Sequence, residues 1–385
     1  MKNVRKINLI YLTAFFGDAL FSPFIALYFI SIGLGDYERG ILLAVVPLCT
    51  ILGNLIYGKL SGKLEKNIGL LRILSIVNGL VIFFFGFVKN FYLLLVLTII
   101  FSLHNSPYFS MQDGIGVNFC EKEKKAYSYT RLFGSLGYCL ALLSGSFLVD
   151  LFNYQIIFII AGIFFLTINL LLFFVRYTKD EEDDIKEEKI SFREIFENKT
   201  FIRYIFFYLL LNGMWVIGES YTSTYFNALS IPDTKYSLWF GIQVGIEMLV
   251  IFLCGKFVKK EEHLKYLIIG SCIVIALRYL LLGLTIDSFI LLVISSLLRG
   301  IGWGGLLSSH LPIVKKILGL RLTMKGIAFL AIIANIIGSM GNFVAPYIYT
   351  NLSLQWLYVI FGSIQVVGIV VLLTINFKFL KERSE

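Results

Sequence analysis

The chain has 385 residues, 58% of them hydrophobic and 15% charged, with a formal net charge of +9 and a mean hydropathy of +0.82. A soluble domain of this length cannot bury that much apolar surface, whereas apolar runs of about 20 residues match the length a helix needs to cross a bilayer. The basic residues are scattered among short loops, which argues against nucleic acid as a partner, and five cysteines without a CxxC pair support neither a disulfide framework nor a metal site.

The N-terminal Lys2, Arg5 and Lys6 precede an apolar run that continues past Ile32 with no small-residue cleavage site. That run is too long for the apolar core of a signal peptide, so it reads as a retained first span. Further spans are expected near 40–58, 70–88, 91–115, 127–149, 154–176, 201–229, 236–256, 265–284, 288–312, 325–349 and 353–377, the first lying near 8–33. The one extended polar stretch, 177–200, carries the acidic run Asp180 to Asp184 and reads as a solvated linker. The expected fold is an all-α membrane protein of twelve transmembrane helices in two six-helix halves. Its N-terminal bundle spans 1–176, its cytoplasmic linker 177–200 and its C-terminal bundle 201–385.

Lysine and arginine orient these spans. With the N-terminus inside, only Arg39, Lys89 and Lys235 fall on the external side, and the remaining loop cations fall on the cytoplasmic side. Both termini are therefore expected in the cytoplasm, in a multi-pass protein of the cell membrane. The end of the second span, Gly58-Lys59-Leu60-Ser61-Gly62-Lys63, resembles the end of the eighth, Gly255-Lys256-Phe257-Val258-Lys259-Lys260. Such a repeat fits two equivalent halves around a central binding site.

Seven ionisable residues sit inside apolar stretches: Asp18, Asp113, Arg131, Glu219, Glu247, Arg278 and Arg299. A charge at the bilayer centre costs about 2.5–3.5 kcal/mol even on insertion scales, so such residues mark a solute or proton path. Helical spacing puts Arg131, Ser135 and Tyr138 on one face, and Asn105 or Ser106, Phe109 and Asp113 on another. It does the same for Asn212, Trp215, Glu219 and Thr222, and for Ser295, Arg299 and Trp303. These stripes combine guanidinium and carboxylate groups with aromatic platforms, the chemistry that grips a polar organic solute. Lone Ser, Thr and Asn residues read instead as interhelical hydrogen-bonding groups worth about 0.6 kcal/mol each. His104 and His310 read as packed, hydrogen-bonded side chains, and His263 as solvated.

On these residues the chain resembles the major facilitator superfamily over nearly its whole length. Gly58, Leu60, Ser61 and Lys63 match that superfamily's loop motif between spans two and three, while Gly62 and Glu65 depart from it at the acid and second-glycine positions. The resemblance implies a gating loop at Gly58 and Lys63. The segment Arg131-Leu132-Phe133-Gly134-Ser135-Leu136-Gly137-Tyr138 is similar to the R-x-[FW]-G-x-x-G-aromatic segment of the lactose permease group, with Asp113 at the matching spacing. Glu247, Arg278 and Arg299 match its polar positions in spans eight to ten, as they do in phenylpropionate permease-like members. Gly302-Trp303 stands where the permease carries a glutamate. The stripes and the resemblance together make Asp113, Arg131, Ser135, Tyr138, Asn105, Phe109, Trp215, Glu219 and Trp303 the expected solute-binding residues. The resemblance implies proton coupling through Asp18, Glu247, Arg278 and Arg299.

Charge counting sharpens that assignment. Asp113 can neutralise Arg131, and Glu219 with Glu247 can neutralise Arg278 and Arg299, which leaves Asp18 without a base. A carboxyl so placed can bind and release a proton near neutral pH, so Asp18 or Glu247 is expected to carry the coupling proton. The expected function is uptake of a small polar solute, a sugar or glycoside, by proton symport through a monomer in the lipid bilayer, without cofactor or metal. An importer of aromatic or organic acids or nucleosides, a proton-driven drug exporter and a non-transporting membrane sensor are the alternatives. Rings of like charge that would indicate a channel are absent, as are the HExxH and GxSxG motifs of membrane hydrolases.

Overall fold

The structure, a computed structural model, describes residues 3–62, 64–125, 127–175, 193–258, 260–284 and 289–377. Lys63 of the expected gating loop and the acidic run from Asp180 to Asp184 lie outside the described residues. Among those described, twelve helices are long and apolar enough to cross a membrane: α1 (Asn3–Ser31), α2 (Asp36–Leu60), α3 (Leu64–Phe85), α4 (Phe91–Lys122), α5 (Tyr129–Leu151), α6 (Tyr154–Phe173), α7 (Lys199–Ala228), α8 (Lys235–Phe257), α9 (His263–Leu284), α10 (Ile290–Gly319), α11 (Lys325–Asn351) and α12 (Leu354–Leu373). A short helix, Arg193–Glu197, precedes α7.

Local chemistry sets the helix ends. The side chains of Asn90, Asn153 and Asn198 accept backbone amides at the starts of α4, α6 and α7, satisfying donors that a first helical turn leaves free. Gly319 has a positive φ of 75° and separates α10 from α11. Pro23 breaks α1: a tight turn over Ser22–Phe24 divides Asn3–Ala19 from Ile25–Ser31. In α7, residues Leu209–Gly213 widen into a π-helical turn just before Trp215 and Glu219. Such turns cluster at functional sites, and periodicity alone gave no sign of this one.

The chain packs as two compact units. One comprises Met1–Lys186 with Ser223–Gly241, the other Glu187–Thr222 with Ile242–Glu385. The segment joining α7 to α8 thus packs within the first unit, where Ser237 donates to the Leu142 carbonyl at 2.6 Å and Tyr154 donates to the Asp233 carboxylate.

The helix pairing of one unit recurs in the other. In the first, α5 meets α1 so closely that a methyl group at Gly137 would strike the Leu12 carbonyl. In the second, a methyl at Gly341 of α11 would strike Ile217 of α7. Small residues permit this approach where no hydrophobic effect drives helices together. Lys6 of α1 donates to the Phe174 carbonyl past the end of α6 at 2.6 Å, and Arg203 of α7 donates to the Thr374 carbonyl past the end of α12 at 3.3 Å. Cations there satisfy carbonyls that the last helical turn leaves free.

Candidate functional site

Three polar clusters interrupt the apolar helices. The most charged lies in the second unit. Glu219 of α7 accepts from Arg278 of α9 at 2.6 Å and from Arg299 of α10 at 2.8 Å, and Arg299 also donates to Glu247 of α8 at 3.1 Å. Arg278 is only 2% exposed. Two guanidinium groups are thus matched by two carboxylates, which limits the cost of taking four charges out of water.

Aromatic rings enclose this network. Trp215 and Trp303 stack in parallel, with centroids 4.3 Å apart and planes 2° apart. Arg278 and Arg299 lie 5.2 and 5.7 Å from the Trp215 ring centre, a cation–π arrangement. Tyr279 donates to the Trp215 carbonyl at 3.0 Å, and Tyr358 to the Gly218 carbonyl at 2.9 Å. Trp215 is buried and Trp303 half-buried. A flat apolar surface beside fixed positive and negative groups can hold a solute with one apolar face and a polar edge.

In the first unit Arg131 and Asp113 lie 3.6 Å apart, with side chains 46% and 41% exposed. Tyr11 of α1 reaches Asp113 at 2.8 Å and Tyr127 at 3.2 Å. The Arg131 guanidinium sits 4.5 Å over the Phe15 ring, which rests against Phe109 at 4.7 Å. A half-open pair like this keeps donors and acceptors available to a ligand. Ser135 and Tyr138, further along the same helix, are half-buried.

Asp18 holds the third cluster. Its carboxylate accepts from Ser22 at 2.9 Å and from Asn105 at 3.2 Å, and Asn78 donates to Asn105 at 3.4 Å. Beside it, Asn54 of α2 donates to Ser106 of α4 at 2.9 Å. Among the described residues no cation pairs with Asp18. Asn105 thus meets α1 at Asp18, as Phe109 meets it at Phe15 and Asp113 at Tyr11, so the three residues of that stripe share one face.

Gly58 borders a cavity of about 240 Å³ with Asn54, Tyr57, Ser61 and Asn67, at the end of α2. The Asn67 side chain closes that loop through both backbone groups of Gly62, at 2.8 and 2.9 Å. His310 meets Tyr204 at 2.8 Å and stacks on Tyr208, so its role is packing, as expected. No group of residues able to hold a metal occurs among the described residues.

Sequence reasoning missed Tyr11, Phe15, Ser22, Tyr127 and Asn78. A signal existed for four of them: Tyr11, Phe15, Asp18 and Ser22 recur at helical spacing along α1, and Tyr127 lies four residues before Arg131 on the face it shares with Ser135 and Tyr138. Asn78 carries no such signal.

The model of the family described as "MFS_1 like family" matches residues 4–360. The uncharacterized transporter YwbF of Bacillus subtilis is 24% identical over 361 residues, covering 93% of this chain and 90% of YwbF. The maltose permease of Geobacillus stearothermophilus is 20% identical, covering 95% and 92%. The crystal structure of the nucleoside transporter NupG superimposes with a TM-score of 0.82 over 100% of both chains at 15% identity, so the fold is shared.

Proposed function

Because this chain belongs to the MFS_1 like family, we propose that it is a secondary active transporter that imports a small polar solute, a sugar or glycoside, together with a proton. Transport would proceed by alternating access. The protein would sit as a monomer in the cell membrane, with both termini in the cytoplasm. The similarity to a maltose permease supports the sugar reading.

One observation carries the proton coupling. Of the four carboxylates inside the apolar stretches, Asp113, Glu219 and Glu247 each lie against an arginine, while Asp18 meets only a hydroxyl and an amide. Asp18 can therefore change its charge without depriving an arginine of its partner, which the other three cannot. In this reading Asp18 carries the coupling proton and Asp113 with Arg131 contacts the solute. Glu219, Glu247, Arg278 and Arg299 couple the second half to that event. Import of an organic acid is the second reading, favoured by the half-exposed Arg131 guanidinium over Phe15.

Uptake by purified protein in proteoliposomes, with and without an imposed pH gradient, over a panel of sugars, nucleosides and aromatic acids, tests both readings. Accumulation driven by the gradient is expected for one class, and Asp18→Asn should abolish accumulation while keeping solute exchange. If no solute in the panel responds to the gradient, symport is rejected.

A further inference from the structure

A groove of about 530 Å³ lies along the first turns of α1 and the start of α5, lined by Arg5, Asn8, Leu9, Leu12, Lys125, Tyr129 and Phe133. It is separate from the three clusters described above. Arg5, Leu9 and Leu12 follow one another at helical spacing on a face of α1 that does not carry Tyr11 or Asp18. Leu9 is 43% and Tyr129 57% exposed, so the groove is open along its length.

Its two ends differ chemically. Arg5 and Lys125 are exposed at one end, and the apolar walls continue from there along α1 and α5. Among the described residues Arg5 has no carboxylate partner. Lys125 lies 3.6 Å from Glu123, whose other oxygen accepts the Val4 amide at 3.0 Å, so that single carboxylate is shared. The neighbouring Lys6 is already engaged with the Phe174 carbonyl. Two cations at a helix end above an apolar groove match a phosphate head group above an acyl chain, and basic pockets between spans recognise anionic lipid head groups.

We propose that this groove is a binding site for an anionic phospholipid, with the phosphate between Arg5 and Lys125 and an acyl chain along Leu9, Leu12 and Phe133. The competing possibility, that both cations merely extend to the bilayer surface, predicts no lipid preference.

Native mass spectrometry of the full chain, titrated with phosphatidylglycerol or phosphatidylcholine of the same acyl chains, separates the two. The wild type should bind phosphatidylglycerol more tightly by roughly fivefold for each cation engaged. The double variant Arg5→Gln/Lys125→Gln should lose that preference. Leu9→Trp keeps both cations but fills the groove, and it should lose the bound lipid as well. Thermal unfolding of each variant identifies one that has failed to fold, and the wild-type preference stands as a test without them. Equal binding of the two lipids by the wild type overturns the proposal, as does an unchanged preference in the double variant. Displacement of phosphatidylglycerol by free glycerol phosphate also overturns it, since that would make the groove a site for soluble anions.

Discussion

The polar centre of the first unit and that of the second are built on matching helices from different chemistry. In the first, the acid on α1 is met by Asn105 of α4, with Asn78 of α3 behind it. In the second, the acid on α7 is met by Arg299 of α10 and Arg278 of α9. The register that superimposes Gly58-Lys59 on Gly255-Lys256 brings Asp18 opposite Trp215, one helical turn from Glu219. It likewise brings Asn78 and Asn105 within a turn of Arg278 and Arg299. One scaffold thus carries an amide-bound acid on one side and a guanidinium-clamped acid on the other. The clamp resists any change of charge, because removing one member leaves another buried and unpaired. The amide network tolerates a proton on its acid, because asparagine and serine can rearrange as donor or acceptor.

The largest expected effect falls on the clamp. Glu219→Gln leaves Arg278 without its carboxylate and should lower stability by about 3–5 kcal/mol, read as thermal unfolding in detergent. Asp18→Asn removes no cation partner and should cost about 1 kcal/mol or less. Equal losses in the two variants would erase the contrast between the centres.

Asn105→Arg would rebuild the first centre in the image of the second by giving Asp18 a guanidinium partner. Crowding should lower stability by about 1–3 kcal/mol. Transport should lose its response to a pH gradient while solute exchange persists, and retention of that response would show that a clamped acid can still couple.

The half-open pair of the first unit should respond differently again. Arg131→Lys should change stability by less than about 1 kcal/mol, as for other exposed pairs. Loss of its fork of donors should weaken solute binding by about tenfold, measured by calorimetry on the solute found in the uptake panel. The smallest effect is expected for Asn78→Ala, about 0.6 kcal/mol for one interhelical hydrogen bond between neutral groups.

Much of this molecule is legible along the chain. Twelve apolar runs with terminal asparagines and prolines announce the helices, because in a bilayer a spanning segment must satisfy its own backbone. The bounds differ mainly where a helix runs past its expected end, as in α4, which runs on to Lys122, and α10, which runs on to Gly319. The seven intramembrane charges were visible for the same reason: nothing masks a charge in an apolar run. Charge counting also separated Asp18 from the other acids, and the geometry places no cation against it among the described residues.

Partner identity was less accessible. That Asn105 serves Asp18, that Tyr11 reaches Asp113, and that Trp215 stacks on Trp303 depend on how helices rotate and approach one another. That rotation is set by contacts such as Gly137 against Leu12, between residues far apart in the chain. The π-helical turn at Leu209–Gly213 changes the phase of α7 just before its functional stripe, which a fixed helical period cannot anticipate. Composition and periodicity by themselves determined that the chain crosses a membrane twelve times and carries charges within it. Only the tertiary structure decided which charge meets which, because a hydrogen bond acts over about 3 Å while the residues that make it lie tens of positions apart in the chain.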